Sequence, residues 1–218
     1  MGDFMAGFIR SRRVAVTASS LALSVAFSVF TGSGVSGAAE VPEGAAISSE
    51  ALADGEFFVP GADVVTKVDP ELVKDSGETA DPLPDPSGFS GARYLKNVRT
   101  LGNVCGTKLL QQTSGRGKTT LVMSFDKAVA ATTKRETSID LNWVSAGVGW
   151  DVTKSYTVKN ETRYEVPAGK FGVIQAYPFY RMQVGDVWQG FSGGSGRPTG
   201  YQAYAYKPVG VCFNQYLQ

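Results

Sequence analysis

Histidine is absent from all 218 residues. Its absence removes the general base of Ser-His-Asp and Cys-His nucleophilic sites, and with it every zinc site that uses imidazole. Cysteine is scarce, with Cys105 and Cys212 the two in the chain. Carboxylates are sparse after residue 88, where Asp126, Glu136, Asp140, Asp151, Glu161, Glu165 and Asp186 are the full set. Hydrolysis by a carboxylate pair is the acid–base chemistry this leaves open. Most of these residues, however, alternate with apolar ones on what read as solvated strand faces. Gly115-Arg116-Gly117-Lys118-Thr119 imitates a phosphate-binding loop but lacks a glycine at Gln112 and a helix after Thr119, so that function is set aside. No catalytic residue, metal ligand, cofactor or small-molecule substrate is assigned, and a non-enzymatic protein is expected.

Long apolar runs are also missing beyond the N-terminal part. There, Arg10, Arg12 and Arg13 precede an uncharged stretch from Val14 to Phe30, followed by small residues from Thr31 to Ala39. Positive charge, apolar run and small-residue cleavage site in that order are the layout of a secretory signal peptide. A membrane-spanning helix needs about 20 strongly apolar residues. This run is shorter and is diluted by Thr17, Ser19, Ser20, Ser24 and Ser28. Residues 1–38 are therefore read as a signal, cleaved after Ala38 or Ala39, with Ser11-Arg12-Arg13 leaving the twin-arginine route as the alternative to the general one. The mature protein is expected to be soluble, secreted and extracellular. In an oxidising compartment Cys105 and Cys212 are expected to pair. A closed loop of about 100 residues gains about 4.7 kcal/mol in the chain-entropy model.

The net charge of +1 hides a strong asymmetry. Residues 39–88 hold twelve Asp or Glu against Lys67 and Lys74, whereas residues 89–218 hold sixteen Lys or Arg against seven Asp or Glu. The first segment also carries Pro42, Pro60, Pro70, Pro82, Pro84 and Pro86 and shows no sustained apolar period. High charge, frequent proline and little core-forming content predict a disordered arm that does not fold alone. Asp81 to Gly88 reads as a stiff linker, which places the domain boundary at 88/89. Two short apolar pieces interrupt the acidic arm, one with Phe57, Phe58 and Val59, the other with Val64, Val65 and Val68. Such pieces order on binding by adding a strand to a sheet edge or filling a groove, so these six residues are the partner-binding candidates. The arm has three possible fates: docking on its own basic body as a masking pro-segment, insertion into a partner, or service as a solvating tether.

The basic body, residues 89–218, reads as all-β, either a single β-sandwich or an elongated twisted antiparallel sheet. Thr119 to Phe125 is a run of β-formers. Ile139, Leu141 and Trp143 alternate with Asp140 and Asn142, the pattern of a half-buried strand. After Ser145-Ala146-Gly147, read as a flexible piece, Val148, Trp150, Val152, Tyr156, Val158, Tyr164 and Val166 share one face. Period 2 over so long a stretch exceeds an ordinary strand, so it either bends near Lys159-Asn160-Glu161 or is unusually extended. Further strands are expected over Lys170 to Tyr177, Tyr180 to Trp188, Tyr201 to Tyr206 and Val209 to Tyr216, with Gly190 to Gly200 as a mobile loop or broad turn. No long helical period is found. Asn160-Glu161-Thr162 is a glycosylation sequon only in a eukaryotic setting.

Arg93, Lys96 and Arg99, the pair Arg116 and Lys118, and the pair Lys134 and Arg135 give the body a surface that attracts polyanions, anionic lipid headgroups included. The abundant aromatics fit strand core better than base stacking, so nucleic acid is disfavoured while a membrane surface stays open. The stretch Val144 to Lys170 (VSAGVGWDVTKSYTVKNETRYEVPAGK), closing on Val-Pro-x-Gly, is similar to the long strands of aerolysin-type β-pore-forming toxins. That resemblance implies a membrane-active toxin with the arm as a masking pro-segment. The layout of signal, acidic extension and small β domain with one disulfide resembles the adaptor subunit of the umbrella-shaped toxin particles of Streptomyces-like bacteria. There the resemblance implies an N-terminal extension that plugs into a lectin-bearing subunit and a β domain that docks on a stalk protein. Neither resemblance assigns a role to a residue. A secreted, non-catalytic adaptor that engages a protein partner through its acidic arm is the first expectation, and the membrane-active toxin the second.

Overall fold

The computed structural model describes Leu52 and residues 55–74, 89–135, 139–194 and 196–218. All belong to one compact unit, Pro42–Gln218. The signal segment 1–38, the rest of the acidic arm (39–51, 53–54 and 75–80) and the proline-rich linker 81–88 lie outside the described residues. The all-β expectation for the body holds: the described chain is dominated by antiparallel strands.

The frame is two very long strands, β8 (Phe171–Gln189) and β9 (Arg197–Leu217), paired antiparallel. Sequence periodicity divides each of them in two, because Pro178 and Pro208 interrupt the β-forming runs. The structure carries both strands through, with a register irregularity between Phe179 and Tyr180 absorbing the prolines. That is where proline is tolerated in a sheet. One side of β8 takes β3 (Arg93–Gly106) and then β4 (Gln111–Arg116). The outer side of β9 takes β6 (Thr132–Lys134) and β2 (Val64–Val68), and β1 (Phe57–Phe58) pairs with β3. The seven-stranded sheet thus runs β1-β3-β8-β9-β2, with β4 and β6 off that path.

The disulfide Cys105–Cys212 is formed, with a Cα–Cα distance of 6.1 Å, inside the range a bridge requires. It ties β3 to β9, which flank β8 on opposite sides. Both cysteines are fully buried, in a cluster with Phe179 and Val209.

A second sheet consists of β5 (Thr119–Ala130) and β7 (Ser155–Val166) alone. Their register is continuous from Thr119↔Val166 to Ala130↔Ser155. β7 therefore does not bend at Lys159-Asn160-Glu161; the longer period-2 stretch ends because residues 148–154 are not strand. Alternate side chains (Leu121, Met123, Phe125, Val129, Val158 and Val166) are buried with Ile174, Met182, Tyr206 and Phe213 of the long strands. The exposed side carries cross-strand partners: Thr120 donates to Glu165 at 2.7 Å, Ser124 donates to Glu161 at 3.1 Å, and Lys159 lies 3.9 Å from Asp126. Such pairs fix register on a solvated face.

The strand expected from Ile139, Leu141 and Trp143 is instead helix α2 (Leu141–Val148), and the flexible piece Ser145-Ala146-Gly147 lies inside it. The alternation Ile139-Asp140-Leu141-Asn142-Trp143 is deceptive because Asp140 is an N-cap. It is extended, and its carboxylate accepts the Asn142 N–H at 2.7 Å, satisfying one of the donors a helix start leaves bare. Gly149 ends the helix with φ 80°, a conformation glycine adopts without penalty. Gly147 lets the helix come close to β3, since a Cβ there would stand 2.7 Å from that of Leu95. Val144, Val148, Trp150 and Val152 then pack with Leu95, Val187, Ala203 and Ala205.

Residues 57–73, expected within an arm of no fixed structure, are built into the body's sheet as β1, β2 and a short helix α1 (Pro70–Val73). The arm borrows two sheet edges rather than forming a core of its own. Seen from the fold, residues 57–73 belong with the body rather than ahead of the 88/89 boundary.

Candidate functional site

Two regions bring chemistry-bearing side chains together. The first is the seat of the arm. β1 lies beside Cys105 (Phe58↔Cys105) and β2 beside Cys212 (Thr66↔Cys212), so both arm strands dock at the disulfide. Phe57 stacks on Tyr206 with centroids 4.1 Å apart and meets Tyr180 edge-on at 5.6 Å. Burial pushes the hydroxyl pKa of both tyrosines up. Phe58 meets Tyr177 edge-on at 6.2 Å. Val64 packs against the cysteine cluster.

Beyond β2 the arm also reaches β7 of the second sheet. The buried Asp69 carboxylate caps α1 by accepting the Glu71 N–H at 3.1 Å, and its other oxygen accepts the Lys159 N–H at 2.9 Å. Lys67 donates to the Glu161 carbonyl, and the Asn160 side chain donates to the Lys67 carbonyl at 3.4 Å. Asn160 of the sequon is thus occupied within a strand, and Thr162 is buried, accepting from Gln215 at 2.7 Å.

Of the six partner-binding candidates, Phe57, Phe58 and Val64 face the body. Val59, Val65 and Val68 are 53%, 38% and 43% exposed. The chain therefore uses one part of the apolar set to seat the arm and leaves the other in solvent. Val64 and Val65 point to opposite faces of β2, as neighbours on a strand do, while Val59 lies just past β1 and Val68 at the end of β2.

The second region is a cleft of about 660 Å³ at the other end of β8. Its lining includes Asn97, Asp186, Trp188, Tyr201, Gln202 and Tyr204. Two register irregularities flank it on either side of β8. Asn97 and Val98 stand opposite Gly185, and Thr199 to Tyr201 stand opposite Val187. Asn97 holds a positive φ of 53°, which Asn tolerates better than most residues. Its amide donates to Asp186 at 2.9 Å, and Gln202 donates to the other carboxylate oxygen at 3.0 Å. Tyr204 donates to Gln202 at 3.2 Å. These bonds from Asn97 and then Gln202, with the Arg99 charge adding to them, hold the Asp186 pKa below its ordinary value.

Of the basic groups singled out from sequence, Lys134 and Arg135 reach this cleft. Lys96 sits 4.5 Å from the Trp188 ring centroid, behind the same bulge. Arg116 and Lys118 lie elsewhere, around the β4–β5 turn. The remaining described body carboxylates are engaged separately. Asp126 pairs with Lys159, Asp140 caps α2, Asp151 accepts from Thr153 at 2.9 and 2.6 Å, and Glu161 accepts from Arg163 at 3.2 Å. Among the described residues no group of three His, Cys, Asp or Glu could hold a metal ion, and no helix is long and apolar enough to cross a membrane.

Sequence reasoning missed the cleft because its parts come from four separate segments. The available signal was the set of aromatics bracketing the glycine-rich stretch: Trp188 before it, Tyr201 and Tyr204 after it.

No protein-family model matches the chain, and no curated protein matches it in sequence. Among solved structures, an aerolysin-like protein from Bombina maxima is similar, at 11% identity and a TM-score of 0.27, over 56% of this chain and 97% of that one. Likeness at that level carries no argument about function, which rests on the molecule's own geometry.

Proposed function

We propose that the protein is a secreted, non-catalytic adaptor whose acidic arm, seated on its own sheet, presents the docking surface for a protein partner. The supporting observation is the division of the arm's apolar residues. Phe57, Phe58 and Val64 anchor it, while Val59, Val65 and Val68 stay in solvent within ten residues of one another. Isolated exposed valines are ordinary. Three on one short strap, held in place by aromatic stacking, are carried on pre-ordered backbone that loses little entropy on binding. The buried disulfide fits work in an oxidising compartment.

The test is capture from culture supernatant by the full mature protein, set against a Val59→Ser/Val65→Thr/Val68→Thr variant. The expected result is a secreted protein held by the first and lost by the variant, with unchanged melting temperature. Equal capture by both would sink the proposal.

A second reading, membrane activity after release of the arm, is favoured by the antiparallel β5–β7 pair, whose strands are joined through β6 and α2. Each strand has twelve residues, enough to cross a bilayer, and polar and apolar residues alternate along both. Against it, Lys127, Asn160 and Thr162 fall on the same alternation as Phe125 and Val158. A lysine facing lipid near the bilayer centre costs about 2–4 kcal/mol. Dye release from anionic liposomes by protein cut within residues 75–88 would carry this reading over the first; sealed liposomes would remove it.

A further inference from the structure

We infer that the cleft between the two bulges is a saccharide-binding site, an assignment independent of how the arm functions. Its volume, about 660 Å³, lies in the range of small-ligand sites. Its polar wall is a fixed array. Asn97 and Gln202 each give one amide hydrogen to a different oxygen of Asp186, at 2.9 and 3.0 Å. Each amide retains a second N–H, and each carboxylate oxygen retains lone-pair capacity. Free donors and acceptors therefore alternate side by side in a group locked by mutual hydrogen bonds. Vicinal hydroxyls, which both donate and accept, complement such an edge. Beside it Tyr201 is 54% exposed and offers a ring for the apolar face of a pyranose, while Trp188, Tyr204, Lys134 and Arg135 also line the cleft.

The backbone supports the same conclusion. Asn97 takes up its positive φ at a bulge, and the opposite bulge thrusts Tyr201 out of the β8–β9 register. Bulges re-aim side chains beside functional sites, and a non-glycine residue at positive φ persists where surrounding structure holds it. Other ligand classes fit less well. The ionised Asp186 penalises an apolar ligand, a single carboxylate is a poor cation site, and Lys134 and Arg135 in the lining admit an acidic sugar beside a neutral one.

The experiment is a printed array of neutral, uronic-acid-containing and sulfated oligosaccharides probed with the full mature protein. Titration calorimetry with the strongest neutral or uronic spot then follows, for the wild type and for Tyr201→Ala and Gln202→Leu. Both residues are exposed, so melting temperature and near-ultraviolet dichroism should stay unchanged. The expected result is binding to a neutral or uronic oligosaccharide, weakened about tenfold or more by each variant, or about 1.4 kcal/mol. The proposal is overturned by an array without retention, or by affinity indifferent to both substitutions. Retention confined to sulfated chains and abolished by moderate salt also overturns it, since that is the signature of a basic surface.

Discussion

The β5–β7 pair and the arm strands β1 and β2 both belong to antiparallel sheet, yet they hold their places for different reasons. The β5–β7 pair has an uninterrupted register of its own, a buried row from Leu121 to Val129 on one strand and from Tyr156 to Val166 on the other, and cross-strand partners on its solvated side. The arm strands span two and five residues and pair only with the body. Edges, aromatic shelves and the carboxylate acceptor's partner at Lys159 are all supplied by the other segments. Acidic, proline-rich sequence thus becomes ordered where a neighbouring sheet leaves an edge unfilled. Ordering of this kind is local and separable, whereas the order of β5 and β7 is part of the common core.

That contrast can be broken most forcefully at the β5–β7 pair. Phe125→Ala empties a site that is 2% exposed and should cost about 3–5 kcal/mol. Arm and β5–β7 pair should then melt together in denaturant titrations followed by both tryptophan fluorescence and arm proteolysis. Replacing both cysteines by alanine comes next, with an expected loss of about 2–5 kcal/mol read as a lower denaturant midpoint. Arm proteolysis should rise more steeply than β5–β7 amide exchange, because both arm strands dock beside the bridge.

Gly210→Ala addresses the arm alone. A Cβ there would overlap the Lys67 carbonyl, so β2 should lift away. Cleavage between residues 57 and 74 should increase several-fold while amide protection of β5 and β7 persists; loss of both together would show the two regions to be one cooperative unit. The smallest effect lies at Asp186. Its depressed pKa means that its stabilising contribution is complete above the ordinary value of 3.8 and is lost as pH falls through the lower folded value. Melting temperatures between pH 5 and pH 2 should therefore decline slightly less for Asp186→Asn than for the wild type.

Much of this architecture was legible in the chain. Cys105 and Cys212 pointed to the bridge, and the alternation from Tyr156 to Val166 pointed to β7. Four features were not. β3 begins Arg93-Tyr94-Leu95-Lys96 and contains Gly102, so neither charge nor glycine content marked it as a strand; its identity comes from pairing with β8. Helix α2 has a strand-like alternation at its start, and only the cap at Asp140 and the close approach at Gly147 decide the matter. The arm's composition fairly describes a segment that cannot fold alone. What composition cannot show is that Gly106 and Cys105 on one strand, and Gly210 to Asn214 on another, present vacant edges of matching length. The cleft was hidden for the same reason, since Asn97, Asp186 and Gln202 meet only through two bulges.

The pairing of β2 with Gly210 to Asn214 also sets an order of events in time. This strand, near the beginning of the described chain, waits for a partner made almost at its end. Contacts of such long sequence separation form late, because loop closure precedes any reward. A ribosome or a translocation channel therefore releases Phe57 to Val68 well before a seat exists for them. During that interval the valines and phenylalanines of the arm are open to whatever chaperone or companion subunit meets them first, and completion of β9 closes the interval.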